Sequence, residues 1–391
     1  MIKDNMWRQR RLGVPKRTSE LIALVALSST LFLFLHTRDL HSRLREMEVR
    51  LQPSENDISS NQLSAEDAQS AVSLQTFGAL RRTSTDVYET MDPLDLDALN
   101  NTKRANKHVL FFNRVPKVGS QTFMQLLRRL SMRNNFAFNR DQVQRVETIR
   151  LAPYEQRQLV RLVNSYAEPS VYVKHVCFTN FTEFNLPQPI YMNVVRDPVE
   201  RVISWYYYVR APWYYVERKQ IFPDLPLPDP EWLKKDFESC VLNGDRECRY
   251  IEGEYHEGIG DHRRQTLFFC GHSEKCTPFN TVGALERAKL SVEKHYAVVG
   301  VLEDVNATLT VLENYIPQFF EGAKELYWDE MDAFKRINKN AFKPPVSEAI
   351  KEMVRKNFTR EIEFYQFCRQ RLHRQYRALK LPTNLDSENN L

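Results

Sequence analysis

Three features of the chain predict an α/β fold, a parallel sheet with helices on both faces. From about residue 108 to residue 376, apolar runs of strand length alternate with stretches of helical periodicity. The runs at 109–112, 171–173, 190–195 and 297–302 are continuous rather than alternating, as in strands buried on both sides. Two of them end in loops whose residues suit the amino-terminal end of a helix.

The first of these loops follows the run at 109–112 and reads Asn113-Arg114-Val115-Pro116-Lys117-Val118-Gly119-Ser120-Gln121-Thr122. Phe123, Leu126, Leu127 and Leu130 then recur at helical spacing. The loop therefore precedes a helix, where backbone N–H groups and the positive end of the helix dipole favour a phosphate. Lys117 supplies a point charge there, and Ser120 and Thr122 supply hydroxyls. A Walker loop is excluded, because Gly119 is the only glycine and follows the lysine instead of preceding it.

The second loop leaves the run at 190–195 as Arg196-Asp197-Pro198-Val199-Glu200-Arg201. Asp197 is placed as an N-cap, Pro198 occupies the first helical position, and Glu200 completes a capping-box pattern. Capping leaves Arg196 and Ser204 unexplained. A guanidinium leaving the carboxyl end of a strand, with a hydroxyl two turns along the helix, suits a second phosphate. His175 follows the run at 171–173 and is placed at the same sheet edge.

The 391 residues are 42% hydrophobic and 12% aromatic, ample for a sizeable core, and the formal charge of +5 is modest. That balance fits an enzyme with a basic groove for an acidic substrate and no nucleic acid partner. Residues 21–36 form an apolar segment after Lys3, Arg8, Arg10, Arg11, Lys16 and Arg17. This is expected to be an uncleaved signal-anchor, with residues 1–20 cytoplasmic and all that follows lumenal. Residues 37–105 are polar, with few aromatics, and are expected to form a stem; the catalytic body is expected over 106–380 and a tail over 381–391.

N-x-T sequons at Asn100, Asn180, Asn306 and Asn357 agree with a lumenal body. The short-range pairs Cys240 with Cys248 and Cys270 with Cys276 are expected to form two local disulfides, leaving Cys177 and Cys368 free. They lack the spacing of a zinc site, and no metal is expected. The proline-rich tract at 222–230 is expected to be a surface loop.

R-V-P-K-x-G-S, a strand, and R-D-P-x-E-R-x-x-S together resemble the paired signature of Golgi sulfotransferases that use 3′-phosphoadenosine 5′-phosphosulfate. Phe112-Asn113-Arg114-Val115-Pro116-Lys117, Trp205-Tyr206-Tyr207-Tyr208, Phe269-Cys270-Gly271-His272 and Glu363-Phe364-Tyr365 narrow the likeness to the heparan sulfate and uronyl 2-O-sulfotransferases. Within that group the insect Pipe proteins are the most similar.

The resemblance implies roles for the residues singled out above. His175 becomes the general base, and Lys117 stabilises charge on the leaving nucleotide. Arg114, Lys117, Gly119, Ser120, Gln121 and Thr122 hold the 5′-phosphosulfate, while Arg196 and Ser204 hold the 3′-phosphate. Where the heparan sulfate enzymes carry a second histidine two residues before the base, this chain has Val173. Arg114, Arg210, Arg218 and Lys219, with Tyr214 and Tyr215 among them, are the candidates for binding an acidic glycan, with Arg114 and Arg218 first by position. A homotrimer is implied by the family alone. Two other readings are a catalytically inactive lumenal glycan-binding protein, and a kinase-like transferase that requires Mg²⁺ and carboxylates near the phosphates.

Overall fold

The computed structural model describes residues 96–255, 264–338 and 343–379. The expected cytoplasmic tail, the anchor at 21–36, nearly all of the stem and the tail at 381–391 lie outside the described residues. Among the described residues, no helix is long and apolar enough to cross a membrane.

The first apolar run forms the inner half of β1 (Asn106–Asn113), where Leu110, Phe111 and Phe112 are completely buried. Each such phenylalanine contributes about 1.5–3 kcal/mol relative to exposure. The chain then turns into α1 (Ser120–Arg133), which covers the sheet with Phe123, Leu126, Leu127 and Leu130. A short strand, β2 (Ala137–Arg140), and α2 (Pro153–Asn164) lead to β3 (Ser170–Lys174). No strand is expected at β2 from its sequence. It lies at the sheet edge, partly exposed, and its polar Asn139 and Arg140 break any apolar run.

β4 (Pro189–Val195) is buried at every position and passes into α3 (Pro198–Tyr208) and α4 (Pro212–Ile221). The proline-rich tract follows as a loop, as expected, and ends where Pro230 starts a short helix. α5 (Val282–His295) precedes β5 (Tyr296–Val301), and α6 (Val305–Tyr315), α7 (Glu348–Lys356) and α8 (Thr359–Ala378) complete the described helices named here. The five strands are parallel in the order β2-β3-β1-β4-β5. The carboxyl ends of β1, β3 and β4 thus lie side by side, the region where open α/β sheets bind ligands.

Both expected disulfides are present, Cys240–Cys248 and Cys270–Cys276, and Cys177 and Cys368 are free and buried. The first disulfide belongs to a second, smaller core in which Val199, Val202, Ile203 and Tyr206 of α3 meet Phe237, Tyr250, Ile350, Val354 and Phe358. α3 is therefore anchored by this outer cluster, which includes Val199 and Val202 of its first turns.

The cap of α3 departs from the expected box in one respect. Asp197 Oδ1 accepts the N–H groups of Val199 and Glu200 at 3.0 and 2.9 Å, as expected. The N–H of Asp197, which Glu200 was to receive, instead donates to Glu303 Oε1 at 3.1 Å. Glu200 is drawn away by three cations, Arg196 at 3.5 Å, Lys343 at 3.2 Å and Lys351 at 3.0 Å. Charge pairing outweighs a single local cap bond here.

Candidate active site

Arg114, His175 and Arg196 each stand one residue beyond the carboxyl end of their strand, β1, β3 and β4 respectively. Register ties these ends together: Asn113 lies opposite Lys174, and Phe112 lies opposite both Val173 and Met192. Two buried asparagines lock the arrangement from below. Asn193 donates to the carbonyl of Asn113 at 2.6 Å and receives the N–H of Val115 at 3.4 Å. Asn113 donates to the carbonyls of Val176 and Phe268 at 3.3 and 3.1 Å.

The loop in front of α1 is tightly wound, with left-handed backbone at Lys117 (φ 66°) and Gly119 (φ 76°). Ser120 Oγ donates to the carbonyl of Val115 at 2.8 Å, closing the loop on itself. Ser120 and Thr122 are both buried, and the Ser120 hydroxyl, expected to hold a phosphate, is committed inside the loop; the free N–H groups at the start of a helix suit an anion. Gln121 Oε1 receives the Arg114 guanidinium at 3.0 Å. Gly119 has no room for a side chain, since a Cβ there would stand 2.6 Å from Leu302 Cδ1. Gly119→Ala is expected to cost about 1–2 kcal/mol from the left-handed backbone alone, with further loss from the clash. Thermal denaturation beside nucleotide binding checks this.

Three cations gather on the loop. Arg196 Nη1 donates to the carbonyl of Lys117 at 3.4 Å, and the Lys117 ammonium lies 3.8 Å from the centroid of the Tyr208 ring. Burial, then the charges of Arg196 and Lys343, push the Lys117 amine down to about 8. A buried lysine further lowered by neighbouring cations suits an anion, whose arrival restores the lysine's charge. Ser204 lies half-buried on α3, two turns beyond Arg196.

His175 Nδ1 lies 2.8 Å from the carbonyl oxygen of Arg114. A carbonyl only accepts, so Nδ1 carries the proton and Nε2 of the neutral ring presents its lone pair. Burial, and then the charges of Arg114 and Lys174, hold the imidazole well below its usual value. It is therefore neutral at pH 7 and able to take a proton. The groove beside it is lined by Arg114, Arg140, Asp141, Glu147 and Lys174, with Lys174 paired to Asp141. His272 differs in kind: its Nδ1 accepts the N–H of Leu151 at 3.0 Å and its Nε2 meets the Thr179 hydroxyl at 2.8 Å, so both nitrogens are committed.

The glycan-binding candidates separate. Arg114 is at the groove, its guanidinium lowered to about 10 chiefly by burial and opposed by Glu147. Arg210 is buried, with Glu247 at 2.5 Å, the carbonyls of Trp232 and Tyr206 at 3.1 and 3.2 Å, and the rings of Tyr206 and Trp232 stacked against it. Its guanidinium is committed to joining α3 to the segment after α4, and its removal is expected to act on stability. Arg218 donates to the carbonyl of Arg145 and lies by Tyr214 and Phe222, and Lys219 donates to the carbonyl of Pro223 at 3.4 Å. Both remain partly exposed on the last turn of α4.

Of the sequons, Asn306 and Asn357 are exposed. Asn100 and Asn180 are partly exposed and use their Oδ1 atoms to cap turns, receiving the N–H of Thr102 and of Thr182. Among the described residues, no group of His, Cys, Asp and Glu has the arrangement of a metal site. Several residues that shape the site carry no motif signal. Asn193, Gln265 and Glu361 act through buried contacts, and Glu303 through the N–H of Asp197, between elements far apart in sequence that only the fold brings together.

A model of the sulfotransferase family matches residues 100–368. The uronyl 2-sulfotransferase homolog pip of Drosophila melanogaster is 37% identical, over 96% of this chain and 92% of its own length. The uronyl 2-sulfotransferase of Mus musculus is 30% identical over 70% of this chain and 64% of its own length. For the heparan sulfate 2-O-sulfotransferase 1 of Gallus gallus the values are 32%, 66% and 69%. With a phosphate loop at the end of β1, a guanidinium at the end of β4 and matched residues spanning the whole sheet, this chain belongs to the sulfotransferase family.

Proposed function

We propose that the chain transfers the sulfuryl group of 3′-phosphoadenosine 5′-phosphosulfate to the 2-hydroxyl of a uronic acid in a glycosaminoglycan or a related acidic glycan. The observation that carries this reading is the bond from His175 Nδ1 to the Arg114 carbonyl at 2.8 Å, which fixes a neutral base to the first residue of the anion loop. A phosphate loop alone suits many nucleotides. A loop with a proton acceptor fastened to it suits transfer to a hydroxyl.

In this mechanism the acceptor oxygen attacks sulfur in line with the bridging oxygen of the donor. The new S–O bond forms as the old one breaks, and the hydroxyl proton passes to His175 Nε2. Lys117 stabilises the charge growing on the departing 5′-phosphate of adenosine 3′,5′-bisphosphate, and Arg196 with Ser204 holds the 3′-phosphate. Alignment of the two substrates accounts for much of the acceleration. Arg114, at the junction of loop and groove, reaches an anionic group of the acceptor. The chain is read as a type II protein of the Golgi membrane, anchored by residues 21–36, with a trimer following from family resemblance.

The expected pH dependence follows from the two perturbed groups. His175 must be neutral, so the acidic limb of kcat/KM is expected below pH 6.5. Lys117 must be charged, so the alkaline limb is expected near pH 8. Bound donor phosphates raise Lys117, and the alkaline limb of kcat should therefore lie at higher pH than that of kcat/KM.

The test is transfer of radiolabelled sulfate from the donor to a panel of heparan, chondroitin and dermatan chains, followed by depolymerisation to locate the label. Label on the 2-position of a uronic acid supports the proposal. Nucleotide binding without transfer to any chain favours an inactive glycan-binding protein instead.

A further inference from the structure

Glu361 is a completely buried carboxylate that takes no part in the chemistry described above. It lies in the first turn of α8, where an uncompensated charge would be strongly destabilising. Its Oε2 accepts the N–H groups of Gln265 and Thr266 at 2.8 and 3.3 Å, and its Oε1 accepts the Thr266 hydroxyl. The fully buried Arg201 guanidinium supplies opposing charge.

Two arms run from this carboxylate to the anion site. Gln265, also completely buried, accepts the N–H of Arg196 on Oε1 at 3.4 Å and donates Nε2–H to the carbonyl of Arg196 at 3.0 Å. The amide side chain thus pairs with Arg196 as a neighbouring strand would. On the other arm, Arg201 Nη1 donates to the carbonyl of Pro116 at 3.4 Å, inside the loop before α1. The two arms end on the two loops that would receive the donor's two phosphates.

We propose that Glu361 is a positioning residue which, through Gln265 and Arg201, sets the separation between the loop at 114–119 and Arg196, and so selects a nucleoside carrying phosphates at both the 5′ and 3′ positions. This rests on the donor reading given above. Glu361 touches no donor atom; it fixes the distance between two anion sites that each bind weakly alone. The Gln265 arm is hydrogen-bonded at both ends and the Arg201 arm couples to Glu361 through charge and to the loop through a hydrogen bond; a spacing held by such buried groups is stiff, and stiffness is what converts two weak sites into one selective site.

The test is calorimetric titration of the full chain with adenosine 3′,5′-bisphosphate and with adenosine 5′-monophosphate, for the wild type, Gln265→Ala and Glu361→Gln. The wild type should prefer the bisphosphate, and each variant should lower that preference by roughly tenfold, the effect of one charge-assisted hydrogen bond lost at Glu361 or of the two neutral ones lost at Gln265. Donor KM should rise more than kcat falls. Variants that melt like the wild type and keep its full preference overturn the proposal. Should Glu361→Gln not fold, Gln265→Ala carries the test, since it leaves the buried carboxylate and Arg201 in place. A wild type that binds neither nucleotide overturns the donor reading and this proposal with it, whereas an unchanged preference in Gln265→Ala overturns this proposal alone.

Discussion

Replacing His175 with alanine is expected to lower kcat by about 10²–10⁴-fold, the usual contribution of a positioned general base, while affinity for adenosine 3′,5′-bisphosphate stays near that of the wild type. The separation of the two effects follows from geometry. The hydrogen bond of His175 to the anion loop goes to the carbonyl of Arg114, whereas Arg196 is bonded to the carbonyl of Lys117. Loss of that one hydrogen bond costs about 1 kcal/mol of stability, too little to unfold the loop, which is also held by Ser120 and Asn193. Rapid-quench measurement of sulfate transfer beside nucleotide titration checks both halves. Full activity in the variant would remove His175 from the chemistry, and loss of nucleotide binding would move it into the donor site.

Replacing Lys117 with alanine is expected to have the opposite signature, a loss in donor affinity together with a fall in kcat of roughly 10²–10³-fold, as for removal of one preorganised charge-stabilising group. Lys117 is held by its own left-handed backbone and by the ring of Tyr208, and it lies beside Arg196. Its amine is lowered to about 8, so part of the population is uncharged in mildly alkaline solution before the donor arrives. Lys117→Arg should recover part of the donor affinity, because charge is retained, and less of kcat, because the planar guanidinium is a different shape from a point ammonium. Steady-state kinetics with varied donor distinguishes these outcomes. An alanine variant with unchanged donor KM and kcat would contradict the assignment.

Both expectations begin in short stretches of sequence that are legible without coordinates. The four runs read as strands are all strands, because a two-sided parallel sheet demands continuous apolar residues. The loop after β1 and the Asp197 cap are likewise local, each set by a few adjacent residues. β2 escaped notice because an edge strand with one solvated side needs no apolar run, and Asn139 and Arg140 give none. The Glu200 box was displaced by Glu303, a residue just past β5 whose approach no local pattern announces. Arg210 has the composition of a ligand-binding arginine, yet Glu247, Tyr206 and Trp232 surround it. Sequence shows which residues can do chemistry, but burial among distant partners decides which of them face the substrate.

The most direct measurement is a crystal structure of the protein with adenosine 3′,5′-bisphosphate. The 5′-phosphate is expected on the N–H groups at the start of α1 beside Lys117, the 3′-phosphate on Arg196 and Ser204, and His175 Nε2 facing the vacant side of the 5′-phosphate across the acceptor groove. A nucleotide bound away from the ends of β1 and β4, or with its 5′-phosphate remote from both Lys117 and His175, would contradict the assignment of one active centre to these three strand ends.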